Sequence, residues 1–390
     1  MRVLFTAWSW PTHVNQMIPL AWALRAAGHE ARIAVPPGIR DTVAASGVPT
    51  VAVGDDGDAP GAIRSVLANP PSGSGGGVPR SVAMFTALAE AMGDDLLSVG
   101  RAWAPDIVVF EPSAYAGPLV ASALGVPSAR HLWGSDLMGF LSAKPPVRAA
   151  EQEALAPLAS RLGANEISTV GTVTIDPCPP SMQVDLPIRR LGVRYVPFHG
   201  RHAAAVPNLS ETGRPRVCVT WGTTVGRVAP ERSRAVDVVR ALATSDVDVV
   251  FAVADEQMPD LRDLPDKVVV LRSPHLDELL GQCDAVVGHG GAGTIMTGLT
   301  RGLPQVAVPL LPDHRFNSMK LAETKAGLVL PIDECDPDQV RATVARLFDE
   351  VEFQTRAREL AGEIAAQPTA SVVVEELARF VDGAVGPPTP

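Results

Sequence analysis

Residues 284–294 read Asp-Ala-Val-Val-Gly-His-Gly-Gly-Ala-Gly-Thr, and the helix-like stretch Ile295–Arg301 follows them directly. A buried β-branched run here delivers His289 into a glycine-rich turn, and the turn opens a helix. Glycines let the backbone come close to a ligand, and the free N–H groups at a helix start favour a phosphate. The segment therefore predicts a strand–turn–helix unit that binds a diphosphate, with His289 as a further hydrogen-bond donor.

Size and composition place this unit in a larger α/β protein. A chain of 390 residues exceeds what one hydrophobic core usually serves, so two domains are expected. Apolar residues make up 46% of the chain but aromatic residues only 5%, a profile typical of helices packed on parallel sheets. The net charge of −10 argues against a nucleic-acid or anionic-membrane partner. No apolar run approaches the roughly 18 residues of a membrane span.

The cysteines and the N-terminus bear on the compartment. Cys178, Cys218, Cys283 and Cys335 are widely separated, so their spacing predicts neither a disulfide framework nor a zinc site. The apolar start 1–7 is too short for a secretion signal and is interpreted as a first strand. We therefore expect a cytoplasmic protein.

Strand-like and helix-like segments alternate along the chain, which predicts right-handed βαβ units and parallel sheets. A helix over Leu20–Ala27 should end at Gly28, and a later one should begin at Asp336 with Pro337 in its first turn. The loop at 69–79 is expected to be a flexible linker rather than a phosphate loop, because no strand precedes it. The predicted strands are Arg2–Thr6, Glu30–Pro36, Val48–Val53, Asp106–Phe110, Ser128–Leu132, Arg216–Thr220, Val247–Val253, Lys267–Leu271, Asp284–Gly288, Gln305–Pro309 and Gly327–Leu330.

A Pro- and Gly-rich stretch up to Pro215 marks the boundary between two domains. We expect a first domain over 1–200, a linker over 201–215 and a second domain over 216–390, whose last helix could pack back on the first domain. The fold class is α/β, with two doubly wound, Rossmann-like parallel sheets facing across a cleft. Ligands bind such sheets at the carboxyl ends of their strands.

One alternative for the glycine turn is a dinucleotide site. Gly288, Gly290 and Gly293 satisfy the G-x-G-x-x-G fingerprint, and Asp313 lies 20 residues further on. This would make the protein an NAD-dependent oxidoreductase. The fingerprint acid should end the next strand, however, whereas Asp313 follows it at a distance. The motif also falls at the fourth strand of its domain rather than in an opening βαβ unit.

A wider set of motifs resembles the family 1 glycosyltransferases of the GT-B fold. These are the turn 289–294, the segment Gly302–Pro309, and Asp313 to Asn317. The N-terminal segments around His13, Pro19–His29 and Trp133–Asp136 are similar to the actinobacterial enzymes that attach dTDP-deoxysugars to polyketide antibiotics. The resemblance extends over essentially the whole chain.

The resemblance assigns the donor-binding residues to the second domain. Asp313 would bind sugar hydroxyls, and His314 beside it replaces the usual glutamine, which is compatible with a deoxysugar. No metal is expected, since His289 and the helix dipole would take the role of the cation. The remaining donor-binding residues form three groups. A second phosphate-binding turn contains Gly222, Thr223 and Thr224, the surroundings of the nucleobase contain Ser273, His275 and Leu276, and the glycine-rich turn after His289 contains Gly291, Ala292, Gly293 and Thr294.

The first domain would bind and activate the acceptor. His13, in the loop after the first strand, falls where the family has its catalytic histidine, and imidazole is the usual general base for a hydroxyl. Glu111 or Asp136 could orient it, and the sequence leaves that choice open, with Asp136 also considered as an acceptor-side acid or base. Either carboxylate could instead be an ordinary capping residue.

An apolar acceptor pocket is expected around Trp8, Trp10 and Trp133, whereas core packing is expected for Met138 and Phe140. These assignments predict an inverting glycosyltransferase that acts on a polyketide aglycone. Some members of this group need a cytochrome-P450-like activator protein, so such a partner and a homodimer both stay open. A non-catalytic relative that binds a partner protein is a further alternative.

Overall fold

The computed structural model describes residues 1–68, 80–200, 205–254 and 264–383, so the predicted loop at 69–79 lies outside the described residues. The chain divides into two compact units. The first comprises Met1–Pro177, Gln183–Arg201 and Gln367–Pro390, and the second comprises Cys178–Met182 and His202–Ala366. The predicted second domain, 216–390, differs from the second unit at its end, because the segment from Gln367 onward belongs to the first unit.

The first unit is built on a seven-stranded parallel sheet with strand order β3-β2-β1-β4-β5-β6-β7. Its strands are β1 Arg2–Thr6, β2 Glu30–Val35, β3 Thr50–Ala52, β4 Ile107–Phe110, β5 Ser128–His131, β6 Val173–Asp176 and β7 Arg190–Gly192. Its helices are α1 Pro11–Asn15, α2 Ile18–Ala26, α3 Pro37–Ala44, α4 Ala59–Ala68, α5 Arg80–Trp103, α6 Ala116–Leu124, α7 Leu137–Ser142, α8 Pro145–Leu162 and, from the chain end, α16 Ala370–Val381.

The second unit has a six-stranded parallel sheet with strand order β10-β9-β8-β11-β12-β13. Its strands are β8 Arg216–Thr220, β9 Asp248–Val253, β10 Val269–Arg272, β11 Ala285–Gly288, β12 Gln305–Ala307 and β13 Gly327–Val329. Its helices are α9 Thr224–Val228, α10 Ala235–Leu242, α11 Leu276–Leu280, α12 Ala292–Thr300, α13 Pro312–Glu323, α14 Pro337–Asp349 and α15 Val351–Ala366.

Two doubly wound parallel sheets confirm the predicted fold class. Every predicted strand is present, although several are shorter than expected. Proline explains two of these ends, because it cannot donate a ladder hydrogen bond: β2 stops before Pro36 and β3 starts after Pro49. Strands β6 and β7, which extend the first sheet, had no counterpart in the sequence prediction.

Buried apolar residues cover both faces of the first sheet. On one face α16 packs against α2, and Val373, Val374 and Leu377 join the core there. In the second unit α14 begins as predicted, with the Asp336 carboxylate accepting from the backbone N–H groups of residues 338 and 339. Among the described residues, no helix has the length and apolar character needed to cross a membrane.

Candidate active site

Two strands that meet in the middle of the first sheet bring together the residues expected to activate an acceptor. β1 and β4 are neighbours, and β2 and β5 lie on their outer sides, so the strand order reverses between β1 and β4. Such a switch point opens a crevice at the carboxyl ends of the two strands. His13 follows β1, and Glu111 directly follows β4. The surrounding segment is not the predicted loop: His13 lies in helix α1, which has a proline in its first turn.

His13 and Glu111 form a hydrogen-bonded pair. The Nδ1 atom of His13 lies 3.1 Å from Oε2 of Glu111, with the two side chains 15% and 0% exposed. Burial alone would raise the pKa of Glu111, but the His13 imidazole and hydrogen bonds from Ser113 outweigh it and lower that pKa. Ser113 donates both its backbone N–H and its hydroxyl to the carboxylate. Glu111 is therefore ionised and can orient the imidazole from behind.

Asp136 has a different set of partners. Its carboxylate pairs with the buried Arg130 guanidinium at 2.5 Å and caps helix α7 by accepting from the Gly139 N–H at 2.7 Å. Both oxygens are used inside the fold, and the residue is 3% exposed. A role for Asp136 as acid or base is therefore not supported, and Glu111 is the carboxylate placed against His13.

The three expected pocket tryptophans surround His13 in different ways. The half-buried Trp133 ring stacks on the imidazole, with centroids 4.6 Å apart and planes 20° apart. Trp8 and Trp10 stack on each other at 5.4 Å but are almost fully buried, so they form a wall beside His13 rather than an open surface. Met138 is in the core as predicted, whereas Phe140 is 40% exposed, and core packing was the wrong expectation for it.

The second sheet has its own switch point, between β8 and β11. Gly222 to Thr224 follow β8, and His289 follows β11. The His289 ring fits against two glycines: a Cβ at Gly222 would lie 2.6 Å from its Cε1, and one at Gly291 would lie 2.3 Å from its Nε2. Gly291 is also the N-cap of α12, whose first residues are Ala292, Gly293 and Thr294. The imidazole and the amino end of a helix are thus held side by side.

His289 contacts a second buried histidine, His314 of helix α13. Their ring centroids are 4.6 Å apart and their planes are nearly perpendicular. Burial, together with the neighbouring His314, lowers the pKa of His289 well below 6.5, and burial lowers that of His314 to about 3. Both rings are therefore neutral at physiological pH, and each can donate one N–H.

The remaining donor-binding candidates also follow strand ends of the second sheet. Ser273, in a left-handed conformation with φ 40°, follows β10, and His275 is the N-cap residue of α11, which begins at Leu276. Asp313 lies in the first turn of α13 with its side chain 32% exposed, and one of its oxygens is 3.8 Å from Nε2 of His314. The partly exposed Asp313 is thus the more accessible member of the Asp-His pair.

Comparison with known proteins fits this arrangement of two sheets. Models of the N-terminal and C-terminal domains of the erythromycin biosynthesis protein CIII-like family match residues 77–222 and 236–380. A 10-deoxymethynolide desosaminyltransferase from Streptomyces venezuelae is 35% identical to this chain, over 97% of each. The chain belongs to this family.

Solved structures of glycosyltransferases share the fold of this chain over nearly its whole length. VinC, solved in complex with dTDP, has a TM-score of 0.83 and 31% sequence identity. The match covers 98% of this chain and 100% of the VinC chain. The spinosyn rhamnosyltransferase SpnG, solved with thymidine diphosphate, has a TM-score of 0.82 and 29% sequence identity. The match covers 97% of this chain and 100% of the SpnG chain. The chain is therefore a glycosyltransferase of the GT-B fold, and both the oxidoreductase and the non-catalytic alternatives were wrong.

Glu111 is the residue that sequence reasoning left undecided, and Ser113 is one that it did not single out. A signal for both was present, because a residue directly after β4 must lie beside the end of β1 if those strands are neighbours. The predicted strands did not include their order in the sheet, which is what brings Glu111 to His13.

Proposed function

We propose that this glycosyltransferase transfers a deoxyhexose from a dTDP-sugar to a hydroxyl group of a polyketide aglycone, with inversion at the anomeric carbon. The pairing of His13 with the ionised Glu111 at the first switch point carries the proposal, because a hydroxyl acceptor needs a base. Relatives that are named for a desosaminyl transfer or were solved with dTDP support the choice of donor class.

On the acceptor side, Nδ1 of His13 would donate to Glu111, which leaves Nε2 free to take the proton of the attacking hydroxyl. The carboxylate fixes this tautomer and stabilises the imidazolium as it forms. Trp133, stacked on the imidazole and only half-buried, would contribute a flat apolar surface beside the base. Inversion follows from a single displacement by the activated hydroxyl.

On the donor side, the second switch point would hold the diphosphate. The backbone N–H groups at the start of α12 and the imidazole of His289 would neutralise the charge that develops on the leaving group. Thr223 and Thr224 would add donors from the neighbouring turn. The nucleobase would contact Ser273, His275 and Leu276, and the sugar hydroxyls would bind to Asp313. These contacts make the transfer independent of a divalent cation.

A direct test incubates the purified protein with a panel of dTDP-deoxysugars and polyketide aglycones and follows the mass of the aglycone. A mass gain equal to one deoxysugar, unchanged by EDTA, is expected. His13→Ala should retain dTDP binding in a thermal-shift assay but lose transfer to hydroxyl acceptors. Stabilisation by NAD without stabilisation by dTDP, or full turnover of His13→Ala, would refute the proposal.

A further inference from the structure

Three polar groups surround Nδ1 of His13, and two of them have opposite hydrogen-bonding requirements. The indole Nε1 of Trp8 donates to this nitrogen at 3.0 Å, and Oε2 of Glu111 lies 3.1 Å from it. The third, the Ser113 hydroxyl, lies 3.4 Å away and donates to Glu111. An indole nitrogen only donates, and an ionised carboxylate only accepts. Nδ1 carries either a proton or a lone pair in the ring plane, so it can satisfy one of these neighbours at a time.

Glu111 does not depend on His13 for its hydrogen bonds. Ser113 donates its hydroxyl to Oε2 at 2.7 Å and its backbone N–H to the same oxygen at 3.0 Å. The Trp133 indole donates to Oε2 at 3.2 Å. The carboxylate therefore keeps hydrogen-bond donors from Ser113 and Trp133 in either tautomer of His13.

Trp8 is held so that its N–H stays directed at the imidazole. The residue is 2% exposed, and its ring packs between Trp10 at 5.4 Å and Phe85 at 6.4 Å. If Nδ1 becomes protonated, this buried indole N–H faces another donor and loses its hydrogen bond, which is costly in a buried site. Each tautomer of His13 thus makes a hydrogen bond with one of the two neighbours, Trp8 or Glu111, and leaves the other without one from Nδ1.

We propose that Trp8 is a positioning residue that competes with Glu111 for Nδ1 of His13 and so sets the tautomer of this histidine in the free enzyme. With the lone pair on Nδ1, Trp8 is satisfied, the proton is on Nε2, and the ring cannot act as the base. With the proton on Nδ1, Glu111 is satisfied and Nε2 can accept the acceptor's proton. The statement that Nε2 then acts as a base rests on the role proposed above for His13. The competition between Trp8 and Glu111 for Nδ1 does not depend on that role.

The test is a long-range proton–nitrogen correlation spectrum of the full chain labelled with ¹⁵N at histidine, since protonated and unprotonated ring nitrogens resonate far apart. A His13→Gln sample identifies the His13 signals among those of the eight histidines. Trp8→Phe keeps the aromatic wall but removes the N–H, and it should raise the fraction of His13 with the proton on Nδ1. Glu111→Gln should lower that fraction.

Trp10→Phe is the matched control, because it removes an indole N–H from the ring stacked on Trp8 and should leave the His13 signals as they are. If Trp8→Phe does not fold, benzothienylalanine at position 8 replaces the N–H by sulfur with almost the same shape. The proposal is overturned if neither change at position 8 alters the His13 tautomer populations. The measurement needs no substrate, so an inactive acceptor panel would leave its result intact.

Discussion

His13, the proposed base, has a charged carboxylate buried next to it. The carboxylate of Glu111 is fully buried, yet its pKa is lowered because His13 and Ser113 favour the ionised form more than burial disfavours it. Hydrogen-bond donors on Ser113 and Trp133 contact the buried carboxylate. In the proposed proton transfer, it would stabilise positive charge on the imidazole.

Removing that charge at constant volume tests its contribution. Glu111→Gln is expected to lower kcat for a hydroxyl acceptor by about 100-fold or more, since the imidazolium would form without a counter-charge. The affinity for dTDP should not change, because the proposed diphosphate contacts lie in the other unit. Initial rates and titration calorimetry measure the two quantities. Glu153→Gln, an exposed change on α8, is the control, and a loss of kcat no greater than in this control would contradict the role of Glu111.

At the scale of an element, the turn between β11 and α12 joins a helix start to an imidazole. Gly290 has φ 81°, and a Cβ there would lie 2.4 Å from Oγ of Ser318 in α13, so only glycine fits this close approach. Gly291 has φ −67° and would accept alanine by its backbone alone. The three heavy atoms nearest to a Cβ at Gly291 all belong to the His289 ring.

Gly291→Ala isolates this contact. The new Cβ would lie 2.3 Å from Nε2 of His289, so the imidazole must move away from the helix start. Because a hydrogen bond to a charged group contributes roughly 1.5–3 kcal/mol, the Kd for dTDP is expected to rise by about 10-fold or more. Calorimetry measures it. Gly362→Ala in α15, where a Cβ has no heavy atom within 4 Å, is the matched control and should bind dTDP normally. Equal affinities in the two variants would show that the position of His289 does not matter.

The elements also show which parts of the site the sequence could predict. His289 was found because its strand, glycine turn and helix are contiguous, so the local pattern contains the whole motif. Glu111 and Asp136 could not be separated because both follow a strand, and only the register that pairs Thr6 with Phe110 brings one of them to His13. The sequence predicts a loop where helix α1 lies, because five residues are too few to show a helical period.

At the scale of the whole molecule, each unit has one switch point with its own group of candidate residues. The residues proposed to act on the acceptor lie in the first unit and those proposed to bind the donor lie in the second, so each group can be altered and measured separately. The units also differ in the buried histidines that they contain. His131 belongs to the first unit, whereas His289 and His314 belong to the second.

These histidines should make the second unit the more acid-sensitive one. Burial lowers the pKa of His131 to about 4 and that of His314 to about 3, and His289 is shifted in the same direction. The unfolded chain takes up a proton near pH 6.5 at each residue while the folded chain does not. Stability is therefore complete well above pH 6.5 and begins to fall around that pH. The loss approaches about 1.4 kcal/mol per pH unit per histidine at lower pH, until the folded pKa is reached.

Urea unfolding at pH 7.5, 6.5 and 5.5 measures this loss, with Trp221 as the fluorescent residue of the second unit. Between pH 6.5 and 5.5 the transition of the second unit should lose more free energy than that of the first, because two fully buried histidines lie there. In the first unit His131 is fully buried, and His29, whose pKa is also lowered, is only half-buried. His314→Gln removes one titrating group and should reduce the loss in the second unit between these two pH values by about 1 kcal/mol, whatever it does to stability at pH 7.5. The same pH dependence in His314→Gln and the unaltered protein would mean that His314 is not held neutral by the fold.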